Sequence, residues 1–137
     1  MRILGIDYGD SRIGLAISDP FGWTAQGLET LSSKNGLKDP LERIKEIITQ
    51  YGVEKIVIGY PLNMDGTEGA RTEKTNEFID KLSKLADIEI VKWDERLTTV
   101  AAQRTMTETG VKTSKKKGIV DQIAAVYILQ GYLDHIR

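Results

Sequence analysis

Apolar positions along the chain follow two periods. Residues 2–18 read RILGIDYGDSRIGLAIS: Ile3, Leu4 and Ile6 form a short run ending on Asp7, and Ile13, Leu15 and Ile17 alternate with small residues. The turn residues Tyr8, Gly9, Asp10 and Ser11 between them predict a β-hairpin. Residues 19–22 (DPFG) mark a second turn, and 24–31 predict a third strand weakened by Gly27. After a loop at 32–36 the period changes. Leu41, Ile44, Ile47, Ile48 and Tyr51 recur at helical spacing, Pro40 suits the first turn, and Gly52 stops the helix. Residues 55–59 (KIVIG) predict a buried strand and 60–69 (YPLNMDGTEG) a loop. A helix over 73–85 puts Phe78, Ile79, Leu82 and Leu85 on one face. A strand over 88–93 ends at Asp94-Glu95-Arg96. Thr98 caps a helix over 100–109, a basic loop covers 110–117, and an apolar helix fills 119–136.

The predicted order is β-β-β-α-β-α-β-α-α. The first strands pair antiparallel; those separated by helices pair parallel through right-handed crossovers. With strands four and five beside strand one, the expectation is an α/β five-stranded mixed sheet, order 3-2-1-4-5, with helices on both faces. Asp7, the 60–69 loop and residues 94–96 then all follow carboxyl ends of parallel strands, where open α/β sheets bind ligands.

Composition narrows the chemistry. The 137 residues suit one domain, 1–137, and 40% apolar with 28% charged residues is ordinary for a globular chain. No apolar leader precedes the first strand and no run is long enough to cross a membrane, so a cytoplasmic protein is expected. Cysteine is absent, which removes disulfides, thiolate metal sites and cysteine nucleophiles, and the lone His135 sits near the end of the last helix. A net charge of -1 requires any nucleic-acid surface to be a local patch.

Three acids remain. Asp7 ends a buried run, Glu95 follows another, and Asp121 opens the last helix among apolar neighbours. Singly, each has a plainer reading: a turn aspartate or an acid favoured at a helix N-terminus. Together at one edge they would repel one another unless cations lay between them. Hard oxygen ligands select Mg²⁺ or Mn²⁺, and two such ions stabilise both the attacking and the leaving oxygen of a phosphodiester displacement. Such chemistry needs no His, Cys or Ser base. Lys115, Lys116 and Lys117, just before Asp121, and Arg12, Arg71 and Arg96 are candidate phosphate contacts. The lysines read equally as a solvated tether, and Arg12 as a salt-bridge partner at a strand edge.

GIDYG with RIGLAISD, then VIGYPLNMDGTEGAR, DERLTT and KKKGIVDQIAAVYILQGYL, closely resemble the YqgF (RuvX) family over essentially the whole chain. The resemblance implies a ribonuclease H-like fold. Family members were first named Holliday junction resolvases and are now described as pre-16S rRNA nucleases. It further implies a metal-dependent nuclease with Asp7, Glu95 and Asp121 as its carboxylates and Arg96 near the scissile phosphate. Asp94, Asp19 and Asp65 are candidates for a fourth acid. The implied partners are precursor rRNA or a DNA junction, with ribosomal precursor particles, and the protein would act as a monomer or homodimer. Two other readings stand beside this one. The DYG turn also resembles the phosphate loop of actin-like ATPases and sugar kinases, though one lobe of this size cannot enclose a nucleotide as they do. A non-catalytic RNA-binding module would keep the fold and use the acids structurally.

Overall fold

The computed structural model describes residues 1–97 and 114–137. The elements are β1 (Arg2–Tyr8), β2 (Arg12–Ser18), β3 (Ala25–Ser32), α1 (Lys38–Tyr51), β4 (Val53–Tyr60), α2 (Ala70–Ser83), β5 (Glu89–Asp94), a 3₁₀ turn (Glu95–Leu97) and α3 (Ser114–His135). The sheet order is β3-β2-β1-β4-β5. β1 pairs antiparallel with β2 and parallel with β4, and β4 pairs parallel with β5. This is the expected ribonuclease H-like arrangement.

Several boundaries shift by one or two residues, and two helix starts shift further. α2 starts at Ala70 rather than 73, because the Thr72 hydroxyl accepts from the Gly69 amide at 3.1 Å and donates to the Pro61 carbonyl at 2.9 Å, fastening the first turn to the preceding loop. α3 starts at Ser114, so Lys115, Lys116 and Lys117 lie in its first turn rather than in a loop. Lysine is a good helix former, and the interior Gly118 costs only about 1 kcal/mol. The helix expected over 100–109 lies outside the described residues.

Alternation along the strands divides the core into two layers. Leu4, Ile6, Ile13, Leu15, Ile56 and Ile58 pack with Ile44 and Ile47 of α1 and Phe78 and Leu82 of α2. On the other face Ile3, Ala16, Val57 and Trp93 pack with Ala124, Ala125, Ile128, Leu129 and Leu133 of α3. Small residues let α3 lie directly on the strands. A Cβ on Gly5 would stand 2.7 Å from the Leu129 Cβ, and one on Gly14 would stand 2.1 Å from the Asp121 carbonyl oxygen. Gly14 is thus a seat for the first turns of α3, and no side chain fits there without lifting the helix.

Gly14→Ala is expected to destabilise the fold by about 1–3 kcal/mol, the usual cost of overpacking a core contact. Urea unfolding measures it; an unchanged midpoint would mean that α3 does not bear on β2 there.

Candidate functional site

Asp7 lies on the α3 face of β1, two positions along from Gly5, and is only 2% exposed. Its register partner on β2 is Gly14, the residue on which Asp121 sits. The last β1–β4 pair is Ile6 with Ile58, and the next residue of β4 is Gly59. A Cβ on Gly59 would lie 2.6 Å from Glu95 Oε1 and 2.6 Å from Ile128 Cδ1. Asp7 therefore stands between two glycine seats, one under Asp121 and one under Glu95. The three acids predicted from sequence share one face at the carboxyl edge of the parallel strands.

Cations accompany this edge. Arg12 donates from Nε to Asp121 Oδ2 at 2.5 Å, which realises its alternative reading as a salt-bridge partner. Arg96 holds Asp94 in a two-point contact, Nε to Oδ1 at 3.1 Å and Nη2 to Oδ2 at 2.8 Å. That hydrogen bond, ahead of any other influence, holds the Asp94 carboxyl below its ordinary pKa, and the same pair raises that of Arg96. Arg96 also donates to the Met64 carbonyl at 3.2 Å, so the β4–α2 loop and the DER segment form one unit.

The loop is built for that contact. Gly66 turns with φ +90° and donates its amide to Asn63 O at 2.8 Å, a conformation that favours glycine. A Cβ there would also stand 3.4 Å from Arg96 Nη1. Asp65 accepts from the Thr67 hydroxyl at 2.6 Å and from its amide at 3.0 Å, and these bonds lower its pKa, with Arg96 a weaker contributor.

The candidates for a fourth acid are each committed elsewhere: Asp94 to Arg96, Asp65 to its own turn. Asp19 lies at the opposite edge of the sheet, where it accepts from the amides of Phe21, Trp23 and Thr24; these bonds, that of Trp23 foremost, lower its pKa. Arg71, in the first turn of α2, is exposed beside the end of β1. Lys115, Lys116 and Lys117 are placed by the helix backbone one to two turns before Asp121.

The donor set fits a hard divalent ion in kind, since carboxylate oxygens are its preferred ligands. Among the described residues, however, no three acidic or histidine side chains stand together closely enough to hold an ion. Asp7, Glu95 and Asp121 are the acids this face offers to such an ion, and Arg12 occupies one of the two carboxylate oxygens of Asp121. Sequence reasoning names these three acids but misses the glycine seats; at Gly14 the signal is the alternation of small residues along β2. It also misses Tyr8, Asp10, Lys74 and Glu77, which with Arg71 line a cleft on the other face of the same edge.

A family model described as "RuvX: Holliday junction resolvase" matches residues 1–135. Curated relatives named "Putative pre-16S rRNA nuclease" include one from Ruminiclostridium cellulolyticum, 68% identical over 99% of this chain and 96% of its own. Another, from Acetivibrio thermocellus, is 67% identical over 98% and 96%. Among solved structures, Thermus thermophilus RuvC in complex with a Holliday junction substrate has a TM-score of 0.60 at 12% identity, covering 99% of this chain and 96% of that one. The fowlpox virus Holliday junction resolvase has a TM-score of 0.54 at 17% identity, with both chains covered fully. At such identities the likeness establishes the ribonuclease H-like fold and nothing finer.

Arg12→Gln is expected to raise affinity for Mn²⁺ in the absence of nucleic acid by roughly fivefold, the equivalent of about 1 kcal/mol for a partly exposed ion pair. Calorimetric titration reads this; equal affinities in wild type and variant would mean that Arg12 and the ion do not compete for Asp121.

Proposed function

The chain belongs to the RuvX family, and from that premise we propose a metal-dependent nuclease that hydrolyses structured nucleic acid, with the 5′ end of precursor 16S rRNA as its substrate. The observation that carries this reading is the seating of Asp7, Glu95 and Asp121 on one sheet face at the carboxyl edge, over Gly14 and Gly59. The substrate follows from the names of the relatives, which match across the whole chain.

The three carboxylates would hold Mg²⁺ or Mn²⁺, with Asp7 as the rigid member because β1 and its burial fix it. Bound there, two such ions supply Lewis acidity for the attack of water on phosphorus, leaving a 5′-phosphate and a 3′-hydroxyl. Arg12, paired with Asp121 at this edge, is a candidate contact for a phosphate oxygen of the substrate. Arg96 orients the β4–α2 loop over the same edge through Met64. Arg71 and the lysines at 115–117 contact the backbone of the strand, which positions it without reading sequence. No helix among the described residues is long and apolar enough to cross a membrane; the proposed setting is the cytoplasm, on ribosomal precursor particles, as a monomer or homodimer.

The family model's own description favours a second reading, cleavage of a four-way DNA junction. It uses the same acids and requires a symmetric dimer to cut two strands.

A labelled precursor-rRNA fragment and a four-way DNA junction, each incubated with Mg²⁺, Mn²⁺ or chelator, separate these readings. Cutting of the RNA should require metal and should fall by more than about a hundredfold in Asp7→Asn, beyond the loss typical of residues that merely support a ligand. Binding should persist in the variant. Cutting of the junction alone would replace the RNA reading by the resolvase reading, and metal-dependent cutting that survives Asp7→Asn would remove Asp7 from the chemistry.

Replacing Lys115, Lys116 and Lys117 by Ala should weaken RNA binding at every sequence. Its salt dependence should flatten by about 0.7–0.9 log units per log unit of salt for each phosphate that a lysine no longer neutralises. A slope equal to wild type would make these lysines solvated bystanders.

A further inference from the structure

One residue beyond Asp7, on the opposite face of the sheet, the chain lines a second feature. A cleft of about 250 Å³ opens between the β1–β2 turn and α2, bounded by Tyr8, Gly9, Asp10, Arg71, Lys74 and Glu77. Its base is rigid. The Tyr8 ring lies flat on the fully buried Phe78 ring, centroids 4.3 Å apart and planes 8° apart. The Gly9 amide closes the turn on the Arg12 carbonyl at 2.9 Å, and the buried Thr75 hydroxyl donates to Arg71 O at 2.9 Å.

The four charged groups around this cleft are two cations and two acids. In most such clusters the opposite charges pair. Here none of Asp10, Arg71, Lys74 and Glu77 forms an ion pair within 4 Å among the described residues. The lining therefore offers, on a stacked aromatic base, cations for an anionic group and carboxylates for N–H donors. A nucleotide carries both, a phosphate and a base edge with an exocyclic amine. A simple anion would meet repulsion from the two acids, and an apolar ligand would leave four charges desolvated.

We propose that this cleft binds a single unstacked nucleotide of the substrate strand, with Arg71 and Lys74 on its phosphate and Asp10 and Glu77 accepting from an amino-bearing base. Stacking of bases on aromatic rings and reading of their exposed edges is how unpaired RNA is recognised, and carboxylates accept from the cytosine amine. The cleft would then favour cytosine, adenine or guanine over uracil. The inference rests on the nuclease reading for its substrate and shares Arg71 with it, but assigns to Asp10 and Glu77 a different task, selection of the strand's sequence.

The test separates the two. Asp7→Asn protein with chelator present is titrated with pentaribonucleotides of cytidine and of uridine, and followed by amide chemical shifts and by affinity. Expected are shifts at residues 8–10 and 71–77 and a preference for the cytidine oligomer of about fivefold or more. Asp10→Ala with Glu77→Ala should bring that ratio to about one. Lys74→Ala should weaken both oligomers equally and leave the ratio intact. Equal binding of the two oligomers by the parent protein, shifts confined to the acid face, or a ratio that survives loss of both acids would overturn the proposal. So would tight binding of free cytidine monophosphate with no binding of the oligomers. None of these outcomes touches the nuclease reading, which stands or falls on metal-dependent cleavage by the wild type.

Discussion

The close approach of α3 to the sheet is the constraint on which the site depends. Helices usually pack on strands through side chains, which keeps the two backbones well apart. Here the Asp121 carbonyl stands where a Cβ of Gly14 would be, and Leu129 where one of Gly5 would be. The contact does more than fill the core. It brings the first turns of a helix down to the level of β1, so that an acid on that helix and an acid on the central strand share one face. Glu95 reaches the same level by a parallel device, over Gly59. An alanine in place of either glycine would preserve the strand and move the acid above it. The small residues are thus part of the site although they carry no chemistry.

The second constraint is charge. Carboxylates on one partly buried face raise the energy of one another, and desolvation adds to it. The described structure meets this cost with arginines: Arg12 on Asp121 and Arg96 on Asp94. Each is contributed by a segment next to the site, the start of β2 and the residue after Glu95. An arginine so placed can be exchanged for a stronger cation without leaving the acid unpaired in between, and it is then near the anionic substrate that the same cation draws in.

Much of this is legible in the sequence. The sheet order follows from where helices interrupt the strands, because parallel pairing needs a crossover. The three acids are legible because each follows or faces an apolar run, and the topology sends those runs to one edge. What cannot be read is the pairing of Arg12 with Asp121, which are 109 positions apart; no local pattern encodes such a contact. The start of α3 departs from expectation for a different reason. A run of lysines followed by glycine reads as loop by composition, while their helical propensity, once α3 is anchored on Gly14, carries the helix back to Ser114. The Tyr8–Glu77 cleft is hidden because its residues come from a turn and from the polar side of α2, where charge reads as simple solvation.

The same physical ground bears on Asp94, Asp65 and Asp19, the candidates for a fourth acid. A fourth carboxylate at the edge would have to be close to the other three and held there by something other than its own loop. Asp65 is spent on the turn that Gly66 completes, and Asp19 stabilises a hairpin at the far edge. Asp94 alone is adjacent, and it is tied to Arg96 at two points. That tie also carries the Met64 contact, so freeing Asp94 for an ion would loosen the β4–α2 loop. Arg12 carries no such second duty among the described residues. The two arginines are therefore not equivalent: Arg96 ties Asp94 to the β4–α2 loop, and Arg12 holds Asp121 alone among the described residues. A site of three carboxylates, two of them seated on glycine and one buried in the central strand, is the arrangement consistent with that division.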